Sequence, residues 1–141
     1  MADNNTKNRK PSSLGDDTHG YLLEALTESV LIHDAHQILY CNQAAINMHG
    51  ANRREDLIGL DPNSLIHAEA SDLINERRQS LSSLGTTVPL TQIRRCRLDG
   101  SVFYAENTAV GVDYQGRAAF MVVSRDITER KDSENRLKGV L

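Results

Sequence analysis

With 141 residues, 39% hydrophobic and 25% charged, the chain is long enough to bury one proper core and too short for two ordinary domains. Its formal net charge of -3 offers no overall attraction to nucleic acid or to an anionic membrane surface. The two cysteines, Cys41 and Cys96, lack CxxC spacing and a secretory signal, and no apolar run approaches the roughly 20 residues that cross a bilayer, so no disulfide framework, zinc site or membrane segment is indicated and a cytoplasmic protein is expected.

In chain order, Met1 to Thr18 has almost nothing to bury and reads as a disordered lead-in over residues 1–18. Tyr21, Leu22, Leu23, Ala25 and Leu26 then make a short amphipathic helical pattern. Val30 to Asp34 and Gln37 to Asn42 are β-rich runs separated by Ala35-His36, a hairpin. Short helical pieces follow: one around Ala44, Ala45 and Met48, one from Arg53 to Ile58 closed by Gly59, one from Asn63 to Ile66, and a longer helix from about Ala70 to Leu84 closed by Gly85. Three strands come next, Val88 to Leu98, Val102 to Val112 and Arg117 to Arg125, joined at Asp99-Gly100 and Gln115-Gly116. Asp126, with Glu129 three residues on, has the capping-box spacing that starts a helix. After Val123 only Ile127, Leu137, Val140 and Leu141 are large and apolar, so this helix reads as leaving the domain. The domain proper is therefore residues 19–127 with an N-terminal cap helix, and residues 128–141 begin an outgoing helix. Strands segregated from helices give an α+β domain with the helices on one face.

Several motifs in this order resemble a PAS domain over about Leu22 to Lys131: Ile38-Leu39-Tyr40-Cys41-Asn42-Gln43-Ala44-Ala45, Glu55-Asp56-Leu57-Ile58-Gly59, Leu98-Asp99-Gly100-Ser101 and Asp126-Ile127-Thr128-Glu129-Arg130. The resemblance implies a five-stranded antiparallel sheet in order 2-1-5-4-3, helices enclosing a small pocket on one face, and output through Asp126, Ile127, Thr128 and Glu129. It also allows the family's cofactors to be tested by position. Haem-binding members carry an axial His in the long helix; here Ala70 to Leu84 has none and the nearest is His67, so haem is not expected. Light-sensing flavin members carry a reactive Cys where this chain has Pro62, within Leu60 to Leu65, which excludes a photoactive flavin adduct. Redox-flavin members generally place a Trp near the ring, and the absence of Trp leaves a redox flavin poorly supported.

Matching members of the family, read with strand alternation, put Leu31, His33, Leu39, Cys41, Ala105, Asn107, Ala109, Phe120, Val122 and Ser124 inward, with Ala45 and Leu73 on the helical side. Several of these are small or polar, and buried polar groups need a partner such as ordered water or a polar ligand. On the third strand Ile93, Arg95 and Arg97 share one face and Arg94, Cys96 and Leu98 the other; an inward Arg95 would hold an anion such as a carboxylate, and a bulge would reverse the register. Set against this, Arg77-Arg78 and Arg94-Arg95 read as solvated faces, Cys41 as a small apolar filler, and His33 as a half-buried hydrogen-bonded His or a ligand contact. His36, His49 and His67 lie scattered without ligand spacing, read as surface, and no metal is expected. Tyr104, Met121 and Val123 face outward with Glu106 and Arg125, an apolar patch that Tyr21, Leu22 and Leu26 of the same or a second subunit would cover, so a homodimer is expected.

The function implied is a non-catalytic sensory module of a bacterial signalling protein, similar to the PAS units ahead of histidine kinases or diguanylate cyclases in two-component and related systems. It would bind a small metabolite, an anionic one if Arg95 faces inward, or a partner, and signal to a downstream effector. The alternative is a ligand-free homodimerisation and protein-interaction module. No nucleophile and base pair, phosphate loop or paired-carboxylate motif supports an enzyme.

Overall fold

The computed structural model of the chain describes residues 17–80 and 85–139. The elements are α1 (Asp17–Ala25), β1 (Ser29–His33), β2 (Ile38–Cys41), α2 (Gln43–Met48), three 3-10 turns (Arg54–Asp56, Pro62–Leu65, Ala68–Ala70), α3 (Ser71–Ser80), β3 (Thr87–Cys96), β4 (Val102–Tyr114), β5 (Arg117–Asp126) and α4 (Thr128–Leu137). One antiparallel sheet orders the strands β2-β1-β5-β4-β3. The last strand therefore sits in the middle of the sheet and leads directly into α4. The expected lead-in lies outside the described residues as far as residue 16, and so do residues 81–84 at the expected end of the long helix.

Local chemistry sets each turn. Between β1 and β2 the Asp34 carboxylate accepts from the N–H groups of His36 and Gln37, both at 2.8 Å. Between β4 and β5, Gln115 and Gly116 both take left-handed backbone angles, φ 53 and 80, as a two-residue primed turn demands. This tight turn lets β4 run on through Tyr114, two residues past the expected end, and pair it with Arg117. Gly59, at φ 90, carries its loop back along the outer edge of β2, where it donates to the Ile38 carbonyl at 2.8 Å.

Asn42 ends β2 and starts α2. Its side-chain oxygen accepts from Ala45 N at 2.9 Å and from Val30 N at 3.0 Å, while its amide donates to the Leu23 and Glu28 carbonyls. A fully buried amide thus has all its bonds made, and it ties the N-terminal segment to the first hairpin. Leu31, Ile38, Cys41, Ala45, Ile46, Leu57 and Leu65 form the apolar core beneath this corner. Glu24 on α1 accepts from Tyr40 and pairs with Arg54.

Three expectations are corrected by register and phase. A bulge between Ile32 and His33 pairs His33 with Ile38, so Ile38 joins the core cluster and Leu39 stays half-buried outside it. α3 presents Ile74 to the interior, leaving its neighbour Leu73 39% exposed, because adjacent helical side chains lie about 100° apart. His49, expected on the surface, is fully buried; its ring Nδ1 lies 2.8 Å from the Ala45 carbonyl and its edge meets Phe103. It sits at the C-terminus of α2, where the Leu98 N–H reaches its carbonyl at 3.0 Å and β3 closes over it.

Candidate functional site

A cavity of about 80 Å³ lies between the helical segment and the sheet. Pro62, Ile66, Ile74, Arg77 and Arg78 line it on the helical side. From the sheet come Leu31 and His33 of β1, Val88, Thr91, Ile93 and Arg95 of β3, Asn107, Thr108 and Ala109 of β4, and Phe120 and Val122 of β5. Most of this surface is hydrocarbon, and the polar groups gather around Arg95.

Arg95 faces inward because of an irregularity in its own strand. Val88 pairs with Ala109 and Thr91 with Asn107, so Pro89 and Leu90 form a bulge that resets the alternation. Proline has no N–H for the ladder, which makes this a natural site for the break. After the bulge Thr91, Ile93 and Arg95 share the cavity face. Arg95 is only 4% exposed. Its Nε donates to the Leu65 carbonyl at 3.4 Å, and its Nη1 to Asn107 Oδ1 at 3.3 Å and Ser124 Oγ at 2.9 Å. The Ser124 hydroxyl donates in turn to Asn107 Oδ1 at 2.7 Å. This chain crosses β3, β4 and β5, since Asn107 and Ser124 are paired in register. Burial and the neighbouring Arg78 lower the pKa of Arg95 to about 10, so it remains a cation at neutral pH.

His33 is 4% exposed, stacks at a tilt on Phe120 with ring centroids 5.3 Å apart, and places Nδ1 2.8 Å from the Asp34 carbonyl. Desolvation lowers its pKa to about 4, and Arg78 and Arg95 push the same way, so its ring is neutral near pH 7. Arg78 is half-buried, its pKa also lowered by burial, and it donates to Asn63 Oδ1 at 2.6 Å. Arg77 is likewise half-buried on the cavity wall. The Arg77-Arg78 pair is therefore not the solvated face that its charge suggested.

The structure brings Leu31, His33, Arg95, Asn107, Ala109, Phe120 and Val122 together around one cavity. Ser124 lies against the polar chain, while Cys41 and Ala45 belong to the neighbouring apolar cluster, and Ala105 is buried elsewhere on β4. Burial raises the Cys41 thiol above its ordinary pKa, which suits a packed filler. Leu39 and Leu73 lie away from the cavity. Ile74, Thr91, Arg77 and Arg78 are lining residues that sequence reasoning passed over; the Pro in the third strand run was the one available sign of the shifted register. Among the described residues, no group of three or more His, Cys, Asp or Glu is placed to hold a metal ion. No described helix is long and apolar enough to cross a membrane.

At the exit of β5, Asp126 Oδ1 accepts from Thr128 N at 2.9 Å and its Oδ2 pairs with Arg97 at 3.0 Å. The expected capping box with Glu129 is not formed: the N-cap position falls on Ile127, whose side chain makes no capping bond, because Asp126 still belongs to β5. Ile127 is buried, its N–H donates to the Tyr104 carbonyl, and Thr128 Oγ1 accepts from Tyr104 N at 3.0 Å. Arg97 also donates to the Met48 carbonyl and lies 4.4 Å over the Phe103 ring. The first turn of α4 is therefore fastened to β3 and β4. On the opposite sheet face Tyr104, Met121 and Val123 are half-buried, while Tyr21 and Leu22 on α1 are 78% and 61% exposed in the single chain.

A 2-1-5-4-3 antiparallel sheet, with helices closing a cavity on one face and a helix leaving its central strand, is the architecture of one class of α+β modules, the PAS fold. The chain belongs to the PAS domain family, whose model, described as PAS domain, matches residues 27–129. It is 28% identical over 96 residues to sporulation kinase A of Bacillus subtilis (strain 168), covering 68% of this chain and 16% of that protein. The chain thus spans 16% of the length of that relative. Its structure is similar to a PAS domain from Colwellia psychrerythraea, with TM-score 0.68 and 18% identity over 80% of this chain and 97% of the other. A PAS domain from a two-component sensor histidine kinase gives TM-score 0.62 and 23% identity over 80% and 96%.

Proposed function

We propose that the chain is a sensory module that takes a small ligand into the cavity between α3 and the sheet and reports it through β5 and α4 to an effector, as in the sensor kinases it resembles. The observation that carries this reading is the buried chain Arg95, Asn107 and Ser124, which joins the cavity to β5 two residues before Asp126 fastens α4. A ligand that changes the bonds of this chain acts on the strand that feeds the output helix. It biases that strand only by its differential affinity for the two arrangements. The cavity's size suits a compact metabolite and is small beside a flavin or a haem. A cytoplasmic setting, an effector kinase and a role without catalysis belong to this same reading.

Native mass spectrometry of the purified chain tests occupancy. The expected result is a small non-covalent mass that denaturation releases. A chain that stays bare after incubation with a small-molecule cell extract contradicts the proposal. The second reading, a ligand-free homodimerisation and protein-interaction module, is favoured by the half-buried apolar outer face of β4 and β5.

A further inference from the structure

Arg95 carries a charge that the described fold leaves without a counterion. A guanidinium has five N–H donors. Nε and Nη1 use three on the Leu65 carbonyl, Asn107 and Ser124, all neutral acceptors, and Nη2 meets no hydrogen-bond acceptor among the described residues. No carboxylate pairs with Arg95 among those residues, although it is 96% buried by the complement of its 4% exposure. A buried, unpaired cation is costly and calls for an anion.

The surroundings favour the same sign. Among the described residues the cavity wall contains Arg77, Arg78 and Arg95, a neutral His33 and no Asp or Glu. Asp61 acts on Arg78 and Asp34 on His33, both from outside the lining. We propose that the cavity binds a short-chain monocarboxylate, with its carboxylate on the Arg95 guanidinium and its hydrocarbon part against Leu31, Ile74, Phe120 and Val122. This rests on the reading of the chain as a ligand-binding module and adds the class of ligand.

Chemistry and size select that class. A planar carboxylate presents two acceptors that match a guanidinium edge. A phosphate would bring further oxygens and a second charge into a wall that is mostly hydrocarbon, a larger desolvation cost than that of one carboxylate. A cavity of about 80 Å³ is smaller than the roughly 150 Å³ cavity that takes benzene, which favours a ligand of a few heavy atoms. Acids of three or four carbons fit both limits.

The test is calorimetric titration and thermal melting of the chain with sodium propionate and butyrate, against propionamide, butyramide and sodium phosphate, at ionic strength fixed with chloride. The acids should bind at one site and raise Tm with concentration, and the amides should bind at least about tenfold more weakly, since the charge-assisted bonds are lost. Arg95→Met should weaken acid binding by at least about tenfold with an unchanged far-UV spectrum, and Arg95→Lys should retain part of it. An amide within twofold of its acid, phosphate tighter than the acids, acid affinity unchanged in Arg95→Met, or no binding of either acid overturns the proposal. Should Arg95→Met fail to fold, the comparison of acid with amide on the native chain decides alone. A neutral adduct in native mass spectrometry would sink the carboxylate and leave the sensory reading standing.

Discussion

His33 and His49 enter the fold as neutral rings, with pKa values lowered by burial to about 4 and about 3 from an ordinary 6.5. The unfolded chain takes up protons on both as the pH falls below 6.5, while the folded chain does not until about pH 4. Stability is therefore complete above about pH 7 and declines on acidification through that window. For His33 alone the loss is on the order of 3 kcal/mol, at about 1.4 kcal/mol for each pKa unit. Urea unfolding at pH 7, 5.5 and 4.5 should show this fall, and His33→Gln should flatten it. A pH-independent midpoint would mean that these rings take up protons in the fold as readily as in the unfolded chain. At this scale the sequence was legible in the family motif Ile38 to Ala45, along which β2 ends and α2 begins, with Asn42 found as its cap. It was illegible where burial depends on distant packing. Nothing beside His49 announces that β3 will close over it, and Arg77 and Arg78 look like surface until α3 is laid on the sheet.

Among the elements, β5 runs directly into α4 and the junction is held by side-chain bonds. Asp126 closes the first turn of α4 and pairs with Arg97, which reaches back to α2 and Phe103. Both partners of the ion pair are about one third exposed, so the pair contributes at most about 1 kcal/mol, and the bond to Thr128 N about as much again. Asp126→Ala should lower global stability by about 1 to 2 kcal/mol yet speed amide exchange in the first turn of α4 by about tenfold, read by hydrogen-exchange mass spectrometry. An equal loss of protection across the whole sheet would contradict a local fastening. Alternation, oriented by the family likeness, described the two faces of β4 and β5, whose ladder runs unbroken from Ala105 opposite Asp126 to Tyr114 opposite Arg117. It misplaced Leu39 and left Arg95 ambiguous because each strand there carries an irregularity, and one extra residue exchanges the two faces. The strand order followed from family likeness, since five strands of this pattern pair equally well in several orders.

In the whole molecule, the helix-covered face holds the cavity and the other face of β4 and β5 offers half-buried Tyr104, Met121 and Val123. Homodimerisation through that outer face should be lost on Val123→Glu, which sets a charge among those side chains; sedimentation velocity would show a dimer becoming a monomer, whereas a monomeric native chain would remove the dimer reading. The central claim is that the contents of the cavity govern α4. Ala109 lines the cavity and pairs with Val122 of β5, so Ala109→Leu fills part of the space without any ligand. The decisive measurement is hydrogen exchange over Thr128–Leu137 in this variant, with Ala35→Leu at the exposed β1–β2 turn as control. A change of protection in α4 that the control lacks is the result predicted; α4 protection identical to the native chain, with the cavity filled and the fold intact, would contradict it.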